Sequence, residues 1–504
     1  MSAAETRWSE QQVAIFNFFE EDNGRNLVVR ARAGTGKTTT ILQAVRHAHE
    51  KTGILLCAFN KRIAEEMNRK LSHGGAVAKT LHSIGFDFVR RNWPNLRVDD
   101  DRKFRLARRA WADWQRQGGD RRPINKLIDM APDMIVSAVV KLASLGKNVD
   151  PFAGQGELLD LAVAHGIQPE NGWADEVTPD DLAMLAARAM FLATERDGTL
   201  DFDDMIFLPV WHGWARPTYS LIIVDEAQDM NAAQLALALA CAKGRIVVVG
   251  DDKQAIYGFR GADSNALDRL RAELHATELP LTTTYRCPRA VVALAARIVP
   301  DYTAAPTAPE GTVLTRDEGA MMSMAEPSDF VLSRTNAPLA RIALAFLRAN
   351  KPARIEGRDI SKTLLSLVRR MKAETIPDMM VKLSRWAERE SQKVQSIRAS
   401  EAARQSRLDM IADQVATLDA LSDGLAETAE LEARISELFA ERGPAIMCST
   451  VHRAKGLEAE RVFVLTDTLY CNGKRQSEEE SNIHYVALTR TKSMLVLVSD
   501  KGGA

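Results

Sequence analysis

The sequence predicts an α/β protein with two parallel sheets, each flanked by helices and each interrupted by a mainly helical stretch. Three observations carry this expectation. Short, unbroken apolar runs recur along the chain, stretches with helical spacing lie between them, and the runs fall into two groups, residues 25–280 and 281–500. Strands covered on both faces read as continuous apolar runs, because neither side meets water, and they alternate with helices when the sheet is parallel.

In the first group the expected strands are "NLVVRA" (26–31), "GILLCAF" (53–59), "SLIIVDEA" (220–227) and "RIVVVGD" (245–251). In the second they are "DFVLSRT" (329–335), "RVFVLTD" (461–467) and "MLVLVSD" (494–500). One helical stretch, 85–199, is rich in Ala, Arg, Asp and Trp, as in "RKFRLARRAWADWQRQ". The other, 361–444, carries Leu408, Ile411, Val415 and Leu418 at helical spacing, continued by Leu431, Ile435 and Leu438, which predicts a helical pair packed on itself. The expected division is a first core of 1–84 and 200–280, a second of 281–360 and 445–504, and an insertion in each.

Composition sets bounds. A length of 504 residues suits about three or four domains. Hydrophobic content of 46% and charged content of 26% describe an ordinary globular chain. The net charge of −1 means that any grip on nucleic acid must come from local patches. Five scattered cysteines with no CxxC pair argue against an iron–sulfur cluster, a zinc knuckle or a disulfide framework, and suit a reducing cytoplasm. The polar N-terminus "MSAAETRWSEQQ" predicts no signal peptide, and no apolar run is long enough to span a bilayer.

The chemistry begins at "VVRARAGTGKTTT" (28–40), an apolar strand, a small-residue loop and a helix-forming run. Ala31 to Thr38 reads A-x-x-x-x-G-K-T, the phosphate-loop pattern with Ala in first place. Around Ala33 and Thr35, Gly34 and Gly36 let backbone N–H groups converge on phosphate at a helix N-terminus. Lys37 reaches the outer phosphates, and the Thr38 hydroxyl is offered to Mg²⁺. "LIIVDEAQD" (221–229) supplies the complement. Asp225 would hold Mg²⁺ through water, and Glu226 would polarise an attacking water, which makes the reaction hydrolysis of a nucleoside triphosphate. "GDDKQAIYGFRGA" (250–262) joins two chemistries in one loop. Asp251, Asp252 and Gln254 suit a charged, metal-bearing ligand. Tyr257 and Phe259, beside Arg260, suit flat bases.

Further blocks appear in a fixed order, and together they resemble a superfamily 1 helicase of the UvrD/Rep/PcrA type over nearly the whole chain. "WSEQQ" (8–12) resembles that family's Q motif, with Gln12 reading adenine. "CAFNKRIAEEM" (57–67) and "TLHSIGFDFVRR" (80–91) resemble its first strand-contacting motifs, which implies DNA contacts at Phe59, Asn60, Thr80 and His82. "LDFDDMI" (200–206) matches a short family block. "GDDKQAIYGFRGA" resembles motif III, so Gln254 would sense the γ-phosphate while Tyr257 and Phe259 stack on bases; relatives usually carry Trp where Phe259 stands. "TTTYRCP" (282–288), "STVHRAKGLEAERVFVL" (449–465) and "HYVALTRTKSMLVLV" (484–498) resemble motifs IV, V and VI.

The resemblance implies two RecA-like cores, with Arg286 and Arg490 reaching from the second as arginine fingers. It places Tyr285 against adenine, Gly456 and Glu458 at the nucleotide, with Glu458 on the ribose, and Thr450 and His452 at the strand. Many relatives have Arg where Thr39 stands, on the other face of adenine. The implied activity is 3′→5′ translocation on single-stranded DNA and at single-strand/duplex junctions, driven by ATP and Mg²⁺, by a monomer or a dimer on DNA. The second insertion is compact, which keeps open a translocase that strips proteins or serves a separate nuclease or repair factor. A nucleotide-gated scaffold without turnover is disfavoured by the intact catalytic set, and the motifs favour DNA over RNA. No nuclease-like segment is expected after motif VI, and no sequence-specific readout. Grip through Lys and Arg on phosphates should be salt-sensitive.

Overall fold

The computed structural model describes residues 8–58, 60–71, 74–168, 177–256, 266–440, 443–469 and 477–499. Two six-stranded sheets organise them, and every strand pairing in both is parallel. The first contains β1 (Leu27–Ala31), β2 (Ile54–Ala58), β3 (Ala76–Thr80), β4 (Tyr219–Val224), β5 (Ala242–Gly250) and β6 (Thr277–Leu281), in the order β3-β2-β4-β5-β1-β6. The second contains β7 (Thr312–Arg316), β8 (Phe330–Ser333), β9 (Ala353–Ile355), β10 (Ile446–Thr450), β11 (Ala459–Leu465) and β12 (Thr491–Val498), in the order β7-β12-β11-β8-β10-β9.

Alternation explains the two-sided burial. Leu27 and Val29 of β1 and Leu56 of β2 face a cluster with Ile15, Phe19 and Ile41. Val28, Leu55 and Cys57 face the opposite cluster with Ile84, Phe88 and Leu237. All seven runs singled out from sequence form strands. Five others, β3, β6, β7, β9 and β10, join them.

The helix Leu81–Asn92 buries Leu81, Ile84 and Phe88 against the first sheet, so the expected boundary at 85 falls inside a helix of that layer. The first insertion then runs through helices Arg102–Gln117, Ile124–Asp129, Asp133–Val149, Gln155–Ala164 and Pro179–Ala193. Its anchor is ionic. Lys147 Nζ meets Asp201 Oδ2 at 3.0 Å and Asp204 Oδ1 at 2.6 Å, while Arg102 pairs with Asp204 and with Asp197. Arg102, Lys147, Asp201 and Asp204 are all buried, so "LDFDDMI" fastens the insertion to its core through compensated charge.

The second insertion holds helices Arg358–Met371, Ile376–Ser396, Glu401–Ser422 and Thr428–Leu438, and the expected boundary at 361 lies in the first turn of the first of them. The expected self-packed pair is only part of the arrangement. Glu401–Ser422 also packs on helix Asn336–Arg348 beside the second sheet and on Gln155–Ala164 of the first insertion, where the Ser400 N–H donates to Asp160 Oδ1 at 2.7 Å. Ile411, Leu418, Leu431 and Ile435 thus share one cluster with Leu158 and Phe346. A stripe wide enough to serve three neighbours looks the same in sequence as one serving a single partner. Among the described residues, no helix is long and apolar enough to cross a membrane.

Candidate nucleotide cleft and strand-contact residues

The site lies where the carboxyl ends of the first sheet meet segments of the second. After β1 the backbone turns through Gly34 (φ +70°) and Gly36 (φ +75°), left-handed conformations that glycine adopts without strain. Thr35 Oγ1 donates to the Arg32 carbonyl and fixes the loop, and helix Lys37–Arg46 starts directly after it. The helix N-terminus adds partial positive charge to this loop. Lys37 Nζ meets Glu226 Oε2 at 2.6 Å, and Thr38 Oγ1 donates to Asp225 Oδ2 at 3.2 Å. Thr38 and Thr39 are exposed beside them.

Glu226 has φ +51°, an uncommon conformation for a residue with a side chain, and Gln228 Nε2 donates to its Oε2 at 2.7 Å. The acidic pair is split by its surroundings. Burial, reinforced by the Glu226 charge, raises Asp225 to about 6. Burial also opposes ionisation of Glu226, but Lys37 and the Gln228 amide outweigh it and hold that carboxyl at about 2.

Segments beside the second sheet close the other side. The Tyr285 N–H donates to the Gly34 carbonyl at 2.9 Å, and the Tyr285 ring is half exposed above the loop. Arg286 Nε pairs with Glu458 Oε2 at 2.6 Å, and Lys492 Nζ takes Glu458 Oε1 at 2.6 Å. Gly456, at φ +84°, turns the chain just before that carboxylate. Arg490 is 1% exposed; its Nη2 donates to Gln254 Oε1 at 3.4 Å, and Gln254 Nε2 donates to Asp251 Oδ2 at 2.6 Å. Burial, with Arg286 nearby, pushes the Arg490 guanidinium down to about 10.

One expectation changes here. Asp251 and Asp252 do not present free carboxylates to a ligand. Arg32 Nη1 lies 3.1 Å from Asp251 and 2.8 Å from Asp252, and Arg30 pairs with Asp252 at 3.0 Å. Both aspartates are buried in this network, which holds the loop that delivers Gln254. The Gln12 amide is also engaged: its Oε1 accepts from the Ser9 N–H and its Nε2 donates to Thr40 Oγ1, while the Tyr285 hydroxyl lies 3.4 Å from Oε1. Glu458 is held by two cations rather than standing free.

The strand-contact residues are less gathered. Asn60 caps helix Lys61–Lys70 and Thr80 caps Leu81–Asn92, each accepting from a backbone N–H. His82 stacks on Phe202, with centroids 4.1 Å apart and 20° between planes, and the Phe202 ring is 54% exposed. Thr450 is buried at the end of β10, and His452 lies in the short helix Val451–Ala454. Phe59, Tyr257, Phe259 and Arg260 lie outside the described residues.

Sequence reading did not single out four residues that shape this cleft or its margin. Lys455 bonds Asp229 and the Gln254 carbonyl. Tyr485 and Tyr302 reach the phosphate loop. Phe202 backs His82. Lys455, Tyr485 and Phe202 sit inside blocks already recognised, whereas Tyr302 carries no local signal.

Comparison with known proteins agrees with this geometry. A family model described as the UvrD/REP helicase N-terminal domain matches residues 8–275, and one described as the UvrD-like helicase C-terminal domain matches 279–502. The chain is 25% identical to ATP-dependent DNA helicase Rep of Escherichia coli over 51% of its own length and 39% of that protein. It is 24% identical to F-box DNA helicase 1 of Gallus gallus over 98% of its length and 49% of that protein. It is 27% identical to ATP-dependent DNA helicase UvrD2 of Mycobacterium tuberculosis over 93% of its length and 76% of that protein. The chain thus spans about half the length, or less, of the Rep and F-box relatives.

Proposed function

The chain belongs to the UvrD/REP helicase family, and from that premise we propose that it is an ATP-dependent DNA helicase that moves 3′→5′ along single-stranded DNA. One observation carries the reading: Lys37, Glu226, Gln254, Arg286 and Arg490 converge from two sheets on one cleft. Lys37 and the loop N–H groups bind the outer phosphates. Glu226 orients the attacking water. Arg286 and Arg490 stabilise the charge that develops on the γ-phosphoryl group. Gln254, bonded to Arg490, links phosphate sensing to the loop that continues toward Tyr257 and Phe259.

The Thr38 hydroxyl and the Asp225 carboxylate are adjacent hard oxygen donors and suit Mg²⁺, which would neutralise phosphate charge when bound. Among the described residues no group of three His, Cys, Asp or Glu side chains is placed to hold a metal, so phosphates and water would supply the remaining ligands. The exposed Tyr285 face supports adenine stacking, and Gln12, bonded to its neighbours, would exchange those bonds for adenine. Because catalysis needs groups from both sheets, each hydrolysis cycle would open and close the cleft. Asn60, Thr80, His82, Thr450 and His452, with Phe59, Tyr257, Phe259 and Arg260, would then exchange grip on the strand. The setting would be the cytoplasm, at single-strand/duplex junctions.

The compact second insertion, packed on the first through Ser400 and Asp160, supports a second reading, a translocase that serves a nuclease or repair partner without strong unwinding of its own. Steady-state ATP hydrolysis with and without single-stranded DNA, with Lys37→Ala as blank, tests the shared core of both. DNA-stimulated turnover that Lys37→Ala abolishes is expected, and turnover retained by that variant refutes the assignment. Tailed duplexes of each polarity then separate unwinding from translocation.

A further inference from the structure

The phosphate loop is held from the second-sheet side by two phenols. Ala33 is 1% exposed and packs in the hydrophobic cluster of the second sheet, with Ile256, Cys287, Tyr302 and Tyr485. Its peptide groups are taken at both ends. The Ala33 N–H donates to the Tyr485 hydroxyl oxygen at 2.9 Å, and the Tyr302 hydroxyl donates to the Ala33 carbonyl at 3.0 Å. The two rings meet edge to face, with centroids 5.5 Å apart and 86° between planes, and both are at most 2% exposed.

Each tyrosine is anchored on an element that carries an arginine of the cleft. Tyr302 directly precedes the short strand Thr303–Ala304, which pairs in register with Thr283–Thr284, the residues leading into Tyr285 and Arg286. Tyr485 lies on helix Glu478–Leu488, which runs into Thr489 and Arg490, and Arg490 Nε donates back to the Val486 carbonyl of that helix. Next along the loop, a Cβ on Gly34 would lie 2.6 Å from Arg286 Cβ, so loop and arginine segment are in van der Waals contact. A buried phenol needs a partner, but any carbonyl would serve. Here both phenols choose one residue, taking the peptide groups on either side of its Cα, and that residue belongs to the loop that cradles phosphate.

We propose that Tyr302 and Tyr485 are positioning residues: together they clamp Ala33 through the peptide groups on either side of it and set the placement of Arg286 and Arg490 against the phosphate loop. The proposal rests on reading the cleft as an ATP hydrolysis site. The clamp acts on the geometry of the transition state rather than on the affinity of the loop for nucleotide, because neither hydroxyl would touch ATP. Loss of either hydroxyl frees one of the two peptide groups that flank Ala33 and lets the arginine-bearing segments drift from the loop. A drift of an ångström is enough to lower turnover severely where charge stabilisation depends on placement.

The test uses the full chain and the variants Tyr302→Phe, Tyr485→Phe and the double variant, which remove oxygen atoms and keep the rings. Three quantities are measured: steady-state hydrolysis with saturating oligo-dT, binding of a fluorescent ATP analogue, and hydrogen exchange of the peptide that contains Ala33. The expected result is a fall in kcat of roughly 3- to 10-fold in each single variant, the size of one lost hydrogen bond, with the KM for ATP and analogue affinity within about twofold of wild type. The double variant should fall no further than the worse single, since both hydroxyls hold one residue. Exchange at the Ala33 peptide should quicken in both singles.

Wild-type kcat in the variants, a loss confined to KM, or strictly additive losses would each overturn the clamp. Exchange decides independently of turnover: an unchanged Ala33 peptide refutes the clamp even if hydrolysis falls. If wild-type protein shows no Lys37-dependent hydrolysis, the ATPase reading fails while exchange still decides the clamp. Should Tyr485→Phe not fold, Tyr302→Phe alone carries the same comparison.

Discussion

Replacing Arg490 by Met should separate function from stability, because this side chain is costly to keep. Its guanidinium is 1% exposed and donates to the carbonyls of Val486 at 3.0 Å and Leu457 at 3.3 Å and to Gln254 Oε1 at 3.4 Å. Among the described residues no carboxylate lies within ion-pair distance of it, whereas Arg286 has Glu458. Burial and the neighbouring Arg286 push it down to about 10. Measured from the usual arginine range, that displacement costs the charged form about 3 kcal/mol. A base depressed in the folded state opposes folding at every pH below its folded value, so the cost is fully present at neutral pH. Methionine removes it, fills similar volume, and forfeits hydrogen bonds worth about 1 kcal/mol each. The two nearly cancel, so the melting temperature should move by no more than about 4 °C. Turnover should behave differently: loss of an arginine that stabilises phosphoryl-transfer charge lowers kcat by about 10³, equivalent to about 4 kcal/mol. Calorimetry and DNA-stimulated ATPase assays on the same preparation make the comparison. A melting point lowered by more than about 8 °C with kcat within tenfold of wild type would show that Arg490 is there for packing, and would refute the reasoning.

Other outcomes follow from the same geometry. Gly34→Ala puts a Cβ 2.6 Å from both Arg286 Cβ and Thr284 Oγ1 at φ +70°, so it should wedge the two sides of the cleft apart and cut DNA-stimulated hydrolysis at least tenfold, roughly 1.4 kcal/mol; wild-type rates would mean that the contact does not persist during turnover. Asp204→Ala removes one of the two carboxylates from both Arg102 and Lys147 in a buried site and should cost about 3–5 kcal/mol in urea unfolding of the first core, with a loss below about 1 kcal/mol counting against the ionic anchor. Burial raises Asp252, but Arg32 and Arg30 outweigh burial and hold it below the ordinary carboxylate range. Its stabilisation is therefore complete above the unfolded value of about 3.9 and is lost as pH falls through the lower folded value. Asp252→Asn should shrink the pH dependence of melting temperature below about pH 4, and an identical acid limb in wild type and variant would contradict that.

Legibility in the sequence tracked burial. The seven strands evident as apolar runs include all of the interior strands except one, because a strand covered on both faces has no polar positions to spare. Four of the five missed strands, β3, β6, β7 and β9, are the sheet edges, and their sequences "AVAKT", "TELPL", "TVLTR" and "ARI" show it: charge, and in β6 a proline, which an edge tolerates. The fifth, β10, is wholly buried, but "IMCST" hides it, because its Ser449 hydroxyl finds a backbone partner and needs no water. At the cleft, local pattern disclosed groups whose chemistry suits phosphate and concealed groups that meet only protein. Lys37, Glu226 and Arg490 stand in motifs whose residue types suit a ligand. Tyr302 acts through a single hydroxyl on a peptide far away in sequence, and nothing local distinguishes it from a core tyrosine. Asp251 and Asp252 show the converse. Paired carboxylates look alike whether they await a cation from solvent or already hold Arg30 and Arg32.

That last distinction bears on how the cleft turns over. The pair Lys37–Glu226 at 2.6 Å satisfies both groups and keeps Glu226 at about 2, too weak a base to draw a proton from water. A γ-phosphate entering the loop competes for the same ammonium. If Lys37 leaves the carboxylate for phosphate, the largest influence lowering Glu226 goes with it, while burial remains. Glu226 then rises toward the ordinary carboxylate range or above it, and becomes a better proton acceptor only when a phosphate is present to be attacked. On the opposite wall Glu458 holds Arg286 and Lys492 together, so Arg286 too would exchange a protein carboxylate for a phosphate. The second exchange leaves Glu458 with Lys492, whereas the first leaves Glu226 with the Gln228 amide, a cost that the rise of its carboxyl reflects. Arg490, with no carboxylate among the described residues to give up, gains outright, which makes it the group whose environment most favours the closed, phosphate-bound cleft.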